Sequence, residues 1–252
     1  VTSPPIAPIP PRQLVRTWAL AIGALAVAKV ASLGVPLLAA NLAGVAALLF
    51  VLLPDRLLRR RDEYWDAYGL PWWGVADRRT WTAWGRGALW AFGLAAVVFP
   101  LFALGYWGFA EALPSLPGPI ARALAPYVGA PRFALRAPDD LALRIAAQFL
   151  VIALPEELFY RGFLQTAWAG AKGRTFRVLG AELGPGFLQT QALFALGHLV
   201  VFQPWRLATF FPGLLFGWLR ARTGSLAAPV LFHALSNILM LTLEASFYGL
   251  GG

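Results

Sequence analysis

From residue 17 to residue 54 the chain carries a single charge, Lys29. A second stretch, 87–110, carries none. About 20 apolar residues span a bilayer as a helix. Inside lipid every backbone N–H and C=O must be satisfied internally, so only helices and closed barrels cross. The runs lack the period-two alternation of a transmembrane barrel. Composition agrees: 59% of residues are hydrophobic and 13% charged, against roughly half and a quarter in soluble domains. The sequence therefore predicts an all-α, polytopic transmembrane helical bundle of about seven spans, within a range of six to eight. It reads as one membrane-embedded domain over 1–252.

Gly34-Val35-Pro36 divides the first run into spans at 17–33 and 36–54. Residues 55–86 mix seven arginines with Trp65, Trp72, Trp73, Trp81 and Trp84, as an interfacial segment with an aromatic belt would. The third span covers 87–110, and a Pro/Gly-rich loop covers 111–140. The fourth starts near Leu141, and a polar loop with Lys172, Arg174 and Arg177 fills 170–185. Spans five to seven follow at 186–203, 206–220 and 226–248, with a tight turn at 220–224. Gly213 and Gly217 have a spacing that permits close helix approach. Pro-rich residues 4–11 before a double apolar run do not read as a cleavable signal.

Charge sets the expected orientation. With the N-terminus inside, segments 1–16, 55–86, 170–185 and 220–224 hold 14 basic residues, while the outer segments hold four. Basic loops favour the inner face. The net charge of +9 is thus explained by anionic lipid, and no nucleic acid partner is expected. The absence of cysteine excludes disulfides, thiolate metal sites and a cysteine nucleophile. The preference for Arg over Lys and the abundance of Ala, Gly and Pro suggest a bacterial source and an inner, cytoplasmic membrane, with a cytoplasmic N-terminus. The sequence carries no signal for oligomeric state.

Against this background residues 155–165, Pro-Glu-Glu-Leu-Phe-Tyr-Arg-Gly-Phe-Leu-Gln, stand out. A charge at the bilayer centre costs roughly 2.5–3.5 kcal/mol on insertion scales, so such residues face the interior and carry function. Glu157 and Arg161 are spaced i,i+4 and can pair. Glu156 points about 100° away and has no cation on its own helix. The only two histidines also sit in apolar spans: His198 after Phe194, and His233 four residues before Asn237. At about 1.5 Å per residue, three helices bring Glu156, His198, His233 and Asn237 to similar depth. A carboxylate in a low-dielectric cavity beside a histidine is a general base for water. A second His with an Asn amide can hold an oxyanion. The competing use is zinc on Glu156, His198 and His233, with one position open for water. HExxH is absent, so that site would be assembled across helices.

Glu156-Glu157-x-x-x-Arg161, Phe194-x-x-x-His198 and His233-x-x-x-Asn237 occur in this order and resemble the three motifs of the CPBP intramembrane proteases. This family includes CAAX prenyl endopeptidases and bacterial Abi-type proteins. Gly217-Trp-Leu-Arg-Ala-Arg-Thr-Gly-Ser-Leu-Ala-Ala-Pro229 is also similar. The resemblance covers 141–240, the catalytic core; 1–140 supplies N-terminal spans and the interfacial segment.

The resemblance implies an intramembrane endopeptidase acting on a membrane-associated protein or peptide. Glu156 and His198 would activate water, His233 and Asn237 would form the oxyanion hole, and Glu157 with Arg161 would support the helix. The family has been described both as glutamate-type and as metalloproteases; the metal-free version, needing no cofactor, is expected here. Substrates of bacterial relatives suggest peptide maturation or removal of C-terminal sorting signals. The rival readings are a non-catalytic Abi-type immunity or scaffold protein and a proton-coupled transporter. The lack of an internal repeat weighs against the transporter.

Overall fold

The computed structural model describes residues 8–124, 131–169, 175–201 and 203–249. It is 77% helical. Two helices open the chain, α1 (Pro11–Ala31) and the single-turn α2 (Pro36–Ala40), followed by α3 (Leu42–Arg59). After a folded connection comes the longest helix, α4 (Arg78–Ala112), and then the short α5 (Gly118–Leu124).

Residues 141–169 form one rod of changing pitch. It runs through α6 (Leu141–Ala147), a π-helical stretch (Gln148–Ala153), α7 (Leu154–Glu157), a second π-helical stretch (Leu158–Gln165) and α8 (Thr166–Ala169). A two-stranded hairpin follows, β1 (Phe176–Val178) against β2 (Ala181–Leu183). The chain ends in α9 (Pro185–Gly197), α10 (Phe210–Thr223) and α11 (Ala227–Tyr248).

Helices occupy all seven predicted segments. Among the described residues, three single helices are long and apolar enough to cross a membrane by length and composition: α1, the helical run 78–115, and α11. With 13 and 14 residues, α9 and α10 fall short of the roughly 20 that span unaided. On length and composition, then, the expected count of seven is not reached among the described residues. The outer faces are nevertheless those of a membrane protein. Leu89, Phe92, Val97, Leu101 and Leu104 along α4 are each more than half exposed, an apolar surface too extensive for water.

Several boundaries move. The expected interfacial segment 55–86 is divided: α3 continues to Arg59 and α4 begins at Arg78. The part between is tied to the protein as well as to its surface. Trp65 donates to Asp55 Oδ1 at 3.1 Å, Tyr68 is buried, and the Arg220 guanidinium holds the Tyr68 carbonyl at 3.1 Å. Trp72, Trp73 and Trp81 are exposed as belt residues should be, whereas Trp65 packs against the core.

The polar loop expected at 170–185 contains the hairpin. Its alternation, Phe176-Arg177-Val178 and Ala181-Glu182-Leu183, was the available signal. Leu179 and Gly180 both have positive φ, as a two-residue hairpin turn requires. Lys172 and Arg174 lie outside the described residues. The tight turn expected at 220–224 comes later, because α10 continues to Thr223 and is capped by Gly224 at φ +67°.

The interior is built around the rod. Phe159, Tyr160 and Phe163 pack with Phe194 of α9, Phe216 of α10 and Phe232 of α11. α11 lies along α4, and the two backbones meet at Gly87. A Cβ there would stand 2.5 Å from the Ala227 Cβ and 2.9 Å from the Ala227 carbonyl carbon. Neither neighbour can rotate away. Gly87→Ala is therefore expected to destabilise the protein by about 1–3 kcal/mol, read as a lower melting temperature in detergent. At Gly93, on the same helix, a Cβ meets nothing within 4 Å. Gly93→Ala should melt no lower than the wild type, because it also improves helix propensity.

Candidate active site

Pro155 has no N–H, so the rod cannot make a regular hydrogen bond back from that position. The π-helical stretch at Gln148–Ala153 lies just ahead of it and widens the helix there. The two acids end the short α7 that follows and face different surroundings. The Glu157 side chain is fully buried, while that of Glu156 keeps 18% exposure.

Glu157 is held from two sides. Its Oε1 accepts from Arg161 Nη1 at 3.1 Å and lies 2.9 Å from His233 Nδ1. A carboxylate paired with arginine can only accept, so Nδ1 is the protonated nitrogen of His233. The imidazole is also stacked on Phe216, with centroids 4.6 Å apart and planes 16° apart. Its Nε2 is thereby directed toward Glu156, 3.9 Å from Oε2. That separation exceeds a hydrogen bond. Glu156 Oε2 is buried and has no hydrogen-bond partner among the described residues.

Arg161 is equally constrained. Nη2 donates to Gln191 Oε1 at 2.7 Å and to the Gly213 carbonyl at 3.1 Å. The guanidinium carbon sits 4.2 Å from the centroid of the Phe194 ring, a favourable cation–π position. The chain of polar contacts continues through Gln191 Nε2 to Gln165 Oε1, at 3.4 Å, and from Gln165 Nε2 to the Gly217 carbonyl, at 2.8 Å. A polar ladder, His233–Glu157–Arg161–Gln191–Gln165, thus links the rod to α9, α10 and α11. The glycine pair of α10 makes room for it. A Cβ on Gly213 would lie 2.9 Å from Gln191 Oε1, and one on Gly217 2.5 Å from Gln191 Nε2.

His198 follows α9 and opens a 3₁₀ turn. Its Nδ1 is 2.8 Å from the Phe194 carbonyl, which can only accept. Nδ1 therefore carries the proton, and the neutral ring presents Nε2 as an acceptor. The Phe194 ring touches both imidazoles, with centroids 4.6 Å from His198 and 6.1 Å from His233. Glu156 and His233 are both within electrostatic range of His198. Asn237 stands apart from the other five: its amide donates to Gln148 Oε1 at 2.8 Å, not to a partner shared with His233.

The structure therefore joins Glu156, Glu157, Arg161 and His233 in one group, with His198 attached through Phe194. The sequence reading missed Gln148, Gln165 and Gln191 and the contact role of Phe194. Two of these had a signal. Gln165 continues the Glu157, Arg161 spacing by another four residues, and Gln191 lies seven before His198. Among the described residues no three His, Cys, Asp or Glu side chains are gathered as a metal site. Nδ1 of each histidine is engaged, which leaves the two Nε2 atoms as the free ring nitrogens.

Residues 138–239 match the family model described as type II CAAX prenyl endopeptidase Rce1-like. The resemblance to the CPBP family is borne out over that segment, which contains all six motif residues. No curated protein and no solved structure matches the chain.

Proposed function

We propose that the chain is an intramembrane endopeptidase in which Glu156 activates water against a peptide bond of a membrane-associated protein or peptide. The observation that carries this reading is the 3.9 Å gap between Glu156 Oε2 and His233 Nε2, beside a buried carboxylate oxygen without a protein partner. A gap of this size between polar groups suits one bridging water. The match to an endopeptidase family supports the reaction class.

Glu156 takes a proton from the water, and the resulting hydroxide attacks the scissile carbonyl carbon. The His198 Nε2 lone pair helps to orient the water. His233, held in one orientation by Glu157, donates from Nε2 in its doubly protonated form to the oxyanion that forms, with the Glu157 carboxylate, itself paired with Arg161, as the counter-charge. Asn237 offers the second amide proton of its NH₂ group to the same oxygen once substrate is bound. The C–N bond then breaks, and the leaving amine takes the proton from Glu156. The products are a carboxylic acid and an amine, which exchange the remaining proton to leave as carboxylate and ammonium, with no covalent intermediate.

The distribution of basic residues supports a bacterial inner membrane with the N-terminus in the cytoplasm. Removal of a C-terminal signal or maturation of a small peptide fits a peptidase that works at the membrane. The metal-free chemistry has a direct test: cleavage by protein stripped with chelator and checked for residual metal. Activity is expected to persist at the untreated rate. Loss on stripping, with recovery on adding zinc, would sink the mechanism.

A further inference from the structure

Outside the active site, α4 and α10 leave a groove of about 360 Å³ lined by Leu89, Trp90, Gly93, Leu94, Val97 and Trp218. Its floor follows one face of α4. From Trp90 to Val97 it rises about 10 Å at 1.5 Å per residue. The groove is open: Leu89 is 76% and Val97 62% exposed, and the space above Gly93 is empty to 4 Å.

One end of the groove is cationic. Arg222 lies over the Trp90 ring, 4.9 Å from its centroid. Trp90 meets Trp218 edge to face at 5.9 Å, and the Trp218 indole N–H is anchored on the Val178 carbonyl at 3.0 Å. Arg86, one turn before Trp90 on the same face, is exposed and is the last charge on the chain before Glu111. Neither Arg86 nor Arg222 has an ion pair or hydrogen bond among the described residues. The acid of the adjoining hairpin, Glu182, lines a different cavity beside Arg220.

We propose that this groove binds one anionic phospholipid, its phosphate between Arg86 and Arg222 and one acyl chain along the floor from Trp90 to Val97. The apolar floor selects a chain, and the paired cations at its interfacial end select a negative headgroup. A zwitterionic lipid would leave the excess positive charge uncompensated, and free phosphate would leave the floor unfilled. Tryptophans at the junction are the side chains that favour headgroup depth.

The site is independent of proteolysis, so the test can be made on Glu156→Gln protein as well as on the wild type. The full chain is purified in detergent, exposed to equimolar phosphatidylglycerol and phosphatidylcholine, and its retained lipid is counted by native mass spectrometry. The wild type should retain phosphatidylglycerol in preference. Replacing both cations, R86Q with R222Q, should weaken that retention roughly 30-fold, from the contribution of two basic residues near a lipid surface. The R86K/R222K pair should keep most of it. All four are exchanges at exposed positions, where folding effects are small. Equal retention of the two lipids by the wild type, or undiminished phosphatidylglycerol on the Gln pair, would overturn the assignment.

Discussion

Glu156→Gln is expected to lower the rate of peptide cleavage by about 10²–10⁴-fold, the usual contribution of a positioned acid–base group, and to leave the fold intact. Glutamine matches glutamate in shape and cannot take a proton from water. The fold should survive because Glu156 is not part of the polar ladder; its Oε2 has no hydrogen-bond partner among the described residues. The two quantities are separable by measuring single-turnover fragment release beside thermal melting of the same preparation. Glu157→Gln is the contrast. It weakens the anchor of both Arg161 and His233, so rate and melting temperature should fall together. A Glu156→Gln protein that cleaves at the wild-type rate would remove the general base from the account.

The largest effect on stability is expected at Arg161. Its side chain and that of Glu157 are both fully buried. Removing one partner of a buried pair leaves an uncompensated charge and typically costs about 3–5 kcal/mol. Arg161→Met also leaves Gln191 Oε1 and the Gly213 carbonyl without their donor. Lysine would not rescue it, since a single ammonium cannot reach three acceptors arranged for a guanidinium fork. Combining Arg161→Met with Glu157→Gln should destabilise less than the sum of the two single changes, with a coupling of roughly 0.5–3 kcal/mol. Unfolding in detergent, followed for all four members of the cycle, measures it. An Arg161→Met variant as stable as the wild type would mean that the ladder does not hold the helices together.

The sequence made the core of the site legible because membranes penalise buried charge so heavily. Glu156, Glu157, Arg161, His198 and His233 needed no alignment to be noticed among apolar residues, and i,i+4 spacing correctly paired Glu157 with Arg161. The glutamines were harder to see. An uncharged amide in an apolar run carries no such penalty signal, and Gln191 acquires its role only when α10 brings Gly213 and Gly217 against it. Asn237 illustrates a second limit. Spacing placed it on the His233 face, but its partner, Gln148, lies in a π-helical stretch whose pitch no 3.6-residue periodicity anticipates. At the level of the fold, the apolar runs located the helices well. They marked the ends poorly where the chain folds back on itself: Arg220 draws residues 60–77 onto the protein through the Tyr68 carbonyl, although composition alone suggested a surface segment.

The central claim is that a peptide bond is hydrolysed at Glu156 within the membrane. Its most direct test is to reconstitute the wild type and Glu156→Gln in proteoliposomes with a mixture of membrane-inserted peptides and to map new termini by mass spectrometry. The account predicts paired new carboxyl and amino termini with the wild type that are absent with Glu156→Gln. The same termini at the same rate with both proteins, or none with a well-folded wild type, would contradict it.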